Sequence, residues 1–113
     1  VVDDSKVVRG ILAKAIKQEG ANVEFAGDGF EALEKYQIFR PDLTIMDINM
    51  PKMGGLDSIV KIREYDQNAK FIILTSSSRK DEIITAQTLK VVSYVVKPFK
   101  MDNFLDMVIK AVD

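Results

Sequence analysis

The chain has neither cysteine nor histidine among its 113 residues. Their absence removes disulfides, zinc sites of the usual ligands, thiol nucleophiles and imidazole acid–base chemistry together. Without histidine the chain also cannot carry a phosphohistidine. Neither sign of charge dominates: 16 basic against 17 acidic residues leave a net −1. That balance gives no electrostatic case for direct nucleic-acid or membrane-surface binding. No apolar run approaches the ~20 residues of a spanning helix, and no signal peptide is visible. No Gly-x-x-x-x-Gly-Lys-Ser/Thr loop is present to cradle a nucleotide. A cytoplasmic location is expected, since cysteine-free chains suit that compartment.

What is present suits one soluble globular domain spanning 1–113, with 47% hydrophobic and 29% charged residues. Helical spacing of Val7, Val8, Ile11, Leu12, Ala15 and Ile16 predicts a first helix that starts at Asp4-Ser5 and stops at Gly20. Val23–Ala26 alternates like a short strand, and Gly27-Asp28-Gly29 turns. A second helix is predicted over 30–39, with Phe30, Leu33, Tyr36 and Phe39 inward. A third covers 56–65 with Leu56, Ile59, Val60 and Arg63 on one side. A weaker fourth runs from Asp81 to about Leu89 with Ile83, Ile84 and Ala86. A fifth covers 101–112 with Phe104, Leu105, Val108, Ile109 and Val112 inward. Between them, Leu43–Met46, Phe71–Leu74 and Val91–Val96 read as strands, the first two nearly all apolar, as expected when both faces are covered. The first strand offers only Val1-Val2 and is expected to be cut short. Five βα units imply a doubly wound parallel sheet with right-handed crossovers.

The strand ends carry the chemistry. Asp3-Asp4, Asp47, Thr75 and Lys97 each follow an apolar run on the same side. They converge if the strand order is the flavodoxin-like 2-1-3-4-5, whose ligand crevice lies at the carboxyl edge. Taken singly, each has an ordinary reading: a helix cap, a loop acid, a polar loop, a turn. Taken together they build a site. Two carboxylates about 4–5 Å apart repel by roughly 3–4 kcal/mol at an effective dielectric near 20, so a divalent cation is the natural remedy. Oxygen ligands without His or Cys favour Mg²⁺. Carboxylate, cation, ammonium and hydroxyl are the parts that hold a transferring phosphoryl group, and a central carboxylate can be its acceptor. With no nucleotide loop and no histidine, the donor must come from outside.

Four segments in order carry a resemblance: Val2-Asp3-Asp4-Ser5, Leu43 to Pro51, Leu74-Thr75-Ser76 and Tyr94 to Phe99. The chain resembles the receiver domain of two-component response regulators over essentially its whole length. The resemblance implies Asp47 as phosphoacceptor and Asp4 as a direct Mg²⁺ ligand, with Asp3 acting through water or orientation. It implies that Asn49 gives its backbone carbonyl to the metal while its side chain tunes hydrolysis. Thr75 resembles the switch hydroxyl, and Ser76 would supply its N–H. Ser77 falls where dephosphorylation is tuned. Lys97 resembles the phosphoryl-binding lysine on a cis Lys97–Pro98 peptide, and Tyr94 the aromatic that swings inward.

The implied partners are a histidine kinase or phosphotransfer protein, and an effector or fused output domain reading the fourth-helix, fifth-strand and fifth-helix face over 81–112. A self-catalysed switch is implied, with slow autodephosphorylation, rather than a turnover enzyme. Aspartyl-nucleophile phosphohydrolases are the first alternative, but they place a second acid where this chain has Asn49. An unphosphorylated interaction module is the other, and the intact Asp4, Asp47, Thr75 and Lys97 oppose it. Gly54 departs from the family's usual loop acid or amide. Lys90 departs from a glycine expected at positive φ after the fourth helix, which predicts strain or mobility there.

Overall fold

The computed structural model describes residues 1–112, in the order α1 (Lys6–Gln18), α2 (Gly29–Phe39), β1 (Thr44–Met46), α3 (Gly55–Tyr65), β2 (Phe71–Thr75), α4 (Lys80–Thr88), β3 (Ser93–Val96) and α5 (Met101–Val112). The three strands pair in parallel as β1-β2-β3, with Ile45 opposite Ile72 and Ile73 opposite Tyr94. Val2 forms single parallel bridges to both Met46 and Ala26. Counting those bridges as first and second members, the order is 2-1-3-4-5, the flavodoxin-like arrangement.

The expected strand Val23–Ala26 is corrected to one paired residue, Ala26, which donates to the Val1 carbonyl at 3.1 Å and accepts from the Asp3 N–H at 3.0 Å. Among the described residues, Val23, Glu24 and Phe25 join no ladder; the Val1 amino group donates to the Glu24 carbonyl at 3.0 Å, outside any strand pairing. The first strand likewise pairs only at Val2.

Side-chain period divides the core in two. Met46, Phe71 and Ile73 point to one face, beneath Ala32, Tyr36, Ile59, Ile62 and Ala86 of α2, α3 and α4. Ile45, Ile72 and Leu74 point to the other, beneath Leu12, Ile16, Phe104, Val108 and Ala111 of α1 and α5. Both faces are covered, which is why β2 is buried at every residue.

The helices bury narrower stripes than their periodicity suggests. α1 buries Leu12, Ala13 and Ile16, while Val7 and Ile11 are exposed. Ile11 lies about 100° around the helix from Leu12, enough to turn it off the sheet. Phe30, Phe39, Ile109 and Val112, read as inward, are likewise exposed, as are Val60 and Ile84. A helix on a sheet touches it along one line, and apolar residues flanking that line stay in solvent.

Ser5 caps α1 as its position signals, and Asp28, read in sequence as part of a turn, caps α2. Ser5 accepts the Val8 N–H at 3.3 Å and Asp28 accepts the Glu31 N–H at 2.9 Å. Lys90 does take a positive φ, 56°, beyond the end of α4. The Arg63 guanidinium holds that strained turn, donating to the carbonyls of Leu89 and, at 3.2 Å, Lys90, while its Nε donates to Ala69 at 3.1 Å. No helix among the described residues is long and apolar enough to cross a membrane.

Candidate functional site

Asp3 and Asp47 reach the same edge because Val2 is bonded in parallel beside Met46: its N–H donates to Ile45 at 2.7 Å and its carbonyl accepts from Asp47 N–H at 2.8 Å. One carboxylate oxygen from each of Asp3, Asp4 and Asp47 lies within 4.8 Å of the others. Asp3 and Asp47 are buried and Asp4 is exposed, so the cluster opens to solvent on one side. Three carboxylates held this close, two of them buried, are a donor set for a hard divalent cation.

Each acid is oriented by backbone. Asp3 Oδ1 accepts the Ser5 N–H at 2.9 Å, and Asp47 Oδ1 accepts the Asn49 N–H at 3.1 Å. Burial pushes the Asp47 carboxyl above the ordinary carboxylate range and the charge on Asp3 adds to this, against the pull of the Asn49 N–H, Thr75 and Lys97. β2 delivers Thr75, fully buried, and the Thr75 carbonyl accepts the Lys97 N–H at 2.8 Å. That bond sets the end of β3 beside the end of β2. The Lys97–Pro98 peptide is cis, and Lys97 Nζ sits 3.1 Å from Asp3 Oδ2. In this arrangement the lysine pairs with Asp3, not Asp47.

Thr75 Oγ1 accepts two donors, Asn49 Nδ2 at 3.3 Å and Ser77 N–H at 3.4 Å. Half-buried Tyr94 donates its hydroxyl to the Ser77 carbonyl at 3.0 Å. Burial and the nearby Glu82 carboxylate raise the Tyr94 pKa, so it remains a neutral donor. Ser76 is exposed on the same loop. The fold thus gathers Asp3, Asp4, Asp47, Asn49, Thr75 and Lys97 at one edge, with Tyr94 joined to them through Ser77.

Two contributors escaped the sequence reading. Glu82 accepts a hydrogen bond from the Ser77 hydroxyl, but an acid in a helix's first turn ordinarily only complements the dipole. Gly55 lies against the Asp47 carbonyl, and Gly54-Gly55 in sequence signals only a loop before a helix.

A family model described as the response regulator receiver domain matches residues 1–109. The chemotaxis protein CheY of Treponema pallidum is 37% identical over 111 residues, 96% of this chain and 77% of that protein. The crystal structure of the CheX–CheY–BeF₃–Mg²⁺ complex from Borrelia burgdorferi aligns at TM-score 0.91 and 30% identity, covering 99% of this chain and 86% of that one. Response regulator protein TrrA of Thermotoga maritima, in complex with Mg²⁺–BeF, aligns at TM-score 0.87 and 34% identity, covering 97% and 94%. Matching sequence, fold and an acidic strand edge together, this chain belongs to the response regulator receiver domain family.

Proposed function

We propose that residues 1–113 act as one receiver domain whose Asp47 accepts a phosphoryl group from a phosphohistidine of a partner kinase or phosphotransfer protein. The observation that carries this is the grouping of three carboxylates within 4.8 Å beside the Thr75 hydroxyl and the Lys97 ammonium. An Asp47 oxygen attacks phosphorus, the bond from phosphorus to the donor's leaving atom breaks, and that atom departs with the electron pair. Lys97, now on Asp3, is placed to meet the phosphoryl oxygens, and Thr75 Oγ–H and Ser76 N–H add donors to them. Asp4 directly, Asp3 through water or orientation, Asp47 and the Asn49 carbonyl would hold Mg²⁺, which supplies positive charge against the crowded oxygens. The Mg²⁺ recorded with the Borrelia and Thermotoga relatives supports this assignment.

Phosphorylation then biases a two-state equilibrium that a partner reads. Thr75 Oγ1 accepts from Ser77 and Asn49 and keeps its own proton for the phosphoryl group, so a shift of that hydroxyl passes through Ser77 to Tyr94. The face formed by α4, β3 and α5 suits an effector or a fused output domain, with Ile84, Val92, Val96 and Ile109 exposed along it. Asn49 does not titrate, which disfavours fast hydrolysis and a turnover enzyme.

Incubation with acetyl phosphate and Mg²⁺ is expected to add the mass of one phosphoryl group to the intact protein. Asp47→Ala should add none, and neither should wild type without Mg²⁺. Equal uptake by Asp47→Ala would refute the acceptor assignment.

A further inference from the structure

The loop between β2 and α4 is fixed through one residue. Ser77 gives its N–H to Thr75 Oγ1 at 3.4 Å, and its carbonyl accepts the Tyr94 hydroxyl at 3.0 Å. Its own hydroxyl donates to the Glu82 carboxylate and accepts the Arg79 N–H at 3.4 Å. One serine therefore joins the Thr75 hydroxyl, the Tyr94 ring and the first turn of α4. No side chain caps α4 at Arg79, so this turn meets the loop through Glu82.

A serine hydroxyl carries a single proton. While that proton is given to Glu82, it cannot be given to a phosphoryl oxygen or to a water placed for attack. We propose that Glu82 is a positioning residue that holds the Ser77 hydroxyl on α4, lengthening the life of phosphoryl-Asp47 and linking that lifetime to the seating of α4. The inference rests on Asp47 as the phosphoacceptor. A partner that pins α4 preserves the Ser77–Glu82 bond and prolongs the signal. A displaced α4 frees the hydroxyl and shortens it.

The test loads the protein with acetyl phosphate and Mg²⁺, removes the donor and follows loss of the phosphoryl mass. Glu82→Ala should shorten the lifetime about threefold or more, the scale of a lost ordinary hydrogen bond. Glu82→Gln keeps an accepting oxygen and should restore the wild-type lifetime, although it removes the charge a helix dipole would use. In a Ser77→Ala background Glu82→Ala should change nothing further. Equal lifetimes for Glu82→Ala and wild type, or an unchanged effect without Ser77, overturn the proposal.

Amide exchange in the unphosphorylated protein supplies an independent arm: Glu82→Ala should speed exchange at Ser77, and Glu82→Gln should not. Unaltered Ser77 exchange in Glu82→Ala overturns the proposal even where no phosphoryl is taken up. Failure of wild type to be labelled, by contrast, overturns the acceptor reading itself.

Discussion

Replacing Asp47 with asparagine is expected to raise the melting temperature of the metal-free protein and to remove most of the stabilisation that Mg²⁺ would give it. Three carboxylate oxygens within 4.8 Å repel one another. At an effective dielectric near 20 each close pair costs roughly 3–4 kcal/mol. The Lys97 ammonium offsets part of this, but it sits on Asp3 and leaves Asp47 the less compensated of the two buried acids. Asparagine keeps an oxygen for the Asn49 N–H and removes the charge. A net gain of about 1–2 kcal/mol, or roughly 5 °C or more, is expected.

The pH dependence has a definite sign. The folded state raises the Asp47 pKa above its ordinary 3.8, so folding favours the protonated acid. That contribution is full at low pH and is lost as pH climbs from about 3.8 through the folded value. Melting wild type and Asp47→Asn in a chelator from pH 4 to 8 should show their difference widening as pH rises. Wild type at 100 times the Mg²⁺ dissociation constant gains about 2.7 kcal/mol, and the variant should gain far less. A variant that melts at or below wild type at neutral pH would show that the acids do not strain the fold.

Gly55→Ala should cost about 3 kcal/mol or more, and damage the site with the fold. A Cβ at Gly55 would lie 2.6 Å from Ile48 Cα and closer still to the Asp47 carbonyl oxygen. Both obstacles are backbone, so no rotamer change relieves them. α3 would have to back away from the sheet, lifting Ile59 and Ile62 out of the core. The Gly55 N–H to Ile48 carbonyl bond, 3.2 Å, would go with it. Gly10→Ala is the matching control. It sits inside α1 with nothing within 4 Å of the added carbon. It should stabilise by about 0.5–1 kcal/mol. Urea midpoints for the two variants should therefore move in opposite directions. A Gly55→Ala midpoint equal to wild type would mean that α3 does not seat on the Asp47 strand.

The order of elements and the edge at which the acids meet were legible because both follow from local pattern. Apolar runs in Leu43–Met46 and Phe71–Leu74 announce strands buried on two faces, and parallel strands place every carboxyl end together. The positive φ of Lys90 was legible only through the resemblance, because Lys90 stands where the family places a glycine; helix ends do not all need one, as Asp66 after α3 has φ −141°. Helix orientation was less legible. Ile11 and Phe30 are as apolar as Leu12 and Tyr36, and only the line of contact with the sheet decides which are buried. The Val23–Ala26 alternation was genuine but found no ladder, because pairing depends on a neighbour that pattern alone does not supply. Glu82 and Gly55 were invisible because each acts through a contact with a separate loop or strand. Ser77 and Glu82 are five apart across a loop-to-helix junction, which matches no capping spacing.

The ion pair between Lys97 and Asp3 joins residues 94 apart in the chain. Contacts of such long sequence separation carry a loop-closure cost and tend to form late in folding. The acids near the start are synthesised first, and the lysine that partners them arrives only when β3 is laid against β2. A chain still emerging from the ribosome, or stalled before residue 97, would hold Asp47 without the cation that completes its surroundings. Competence to be charged thus becomes a late product of folding, and truncated or half-folded copies would be poor recipients of the signal.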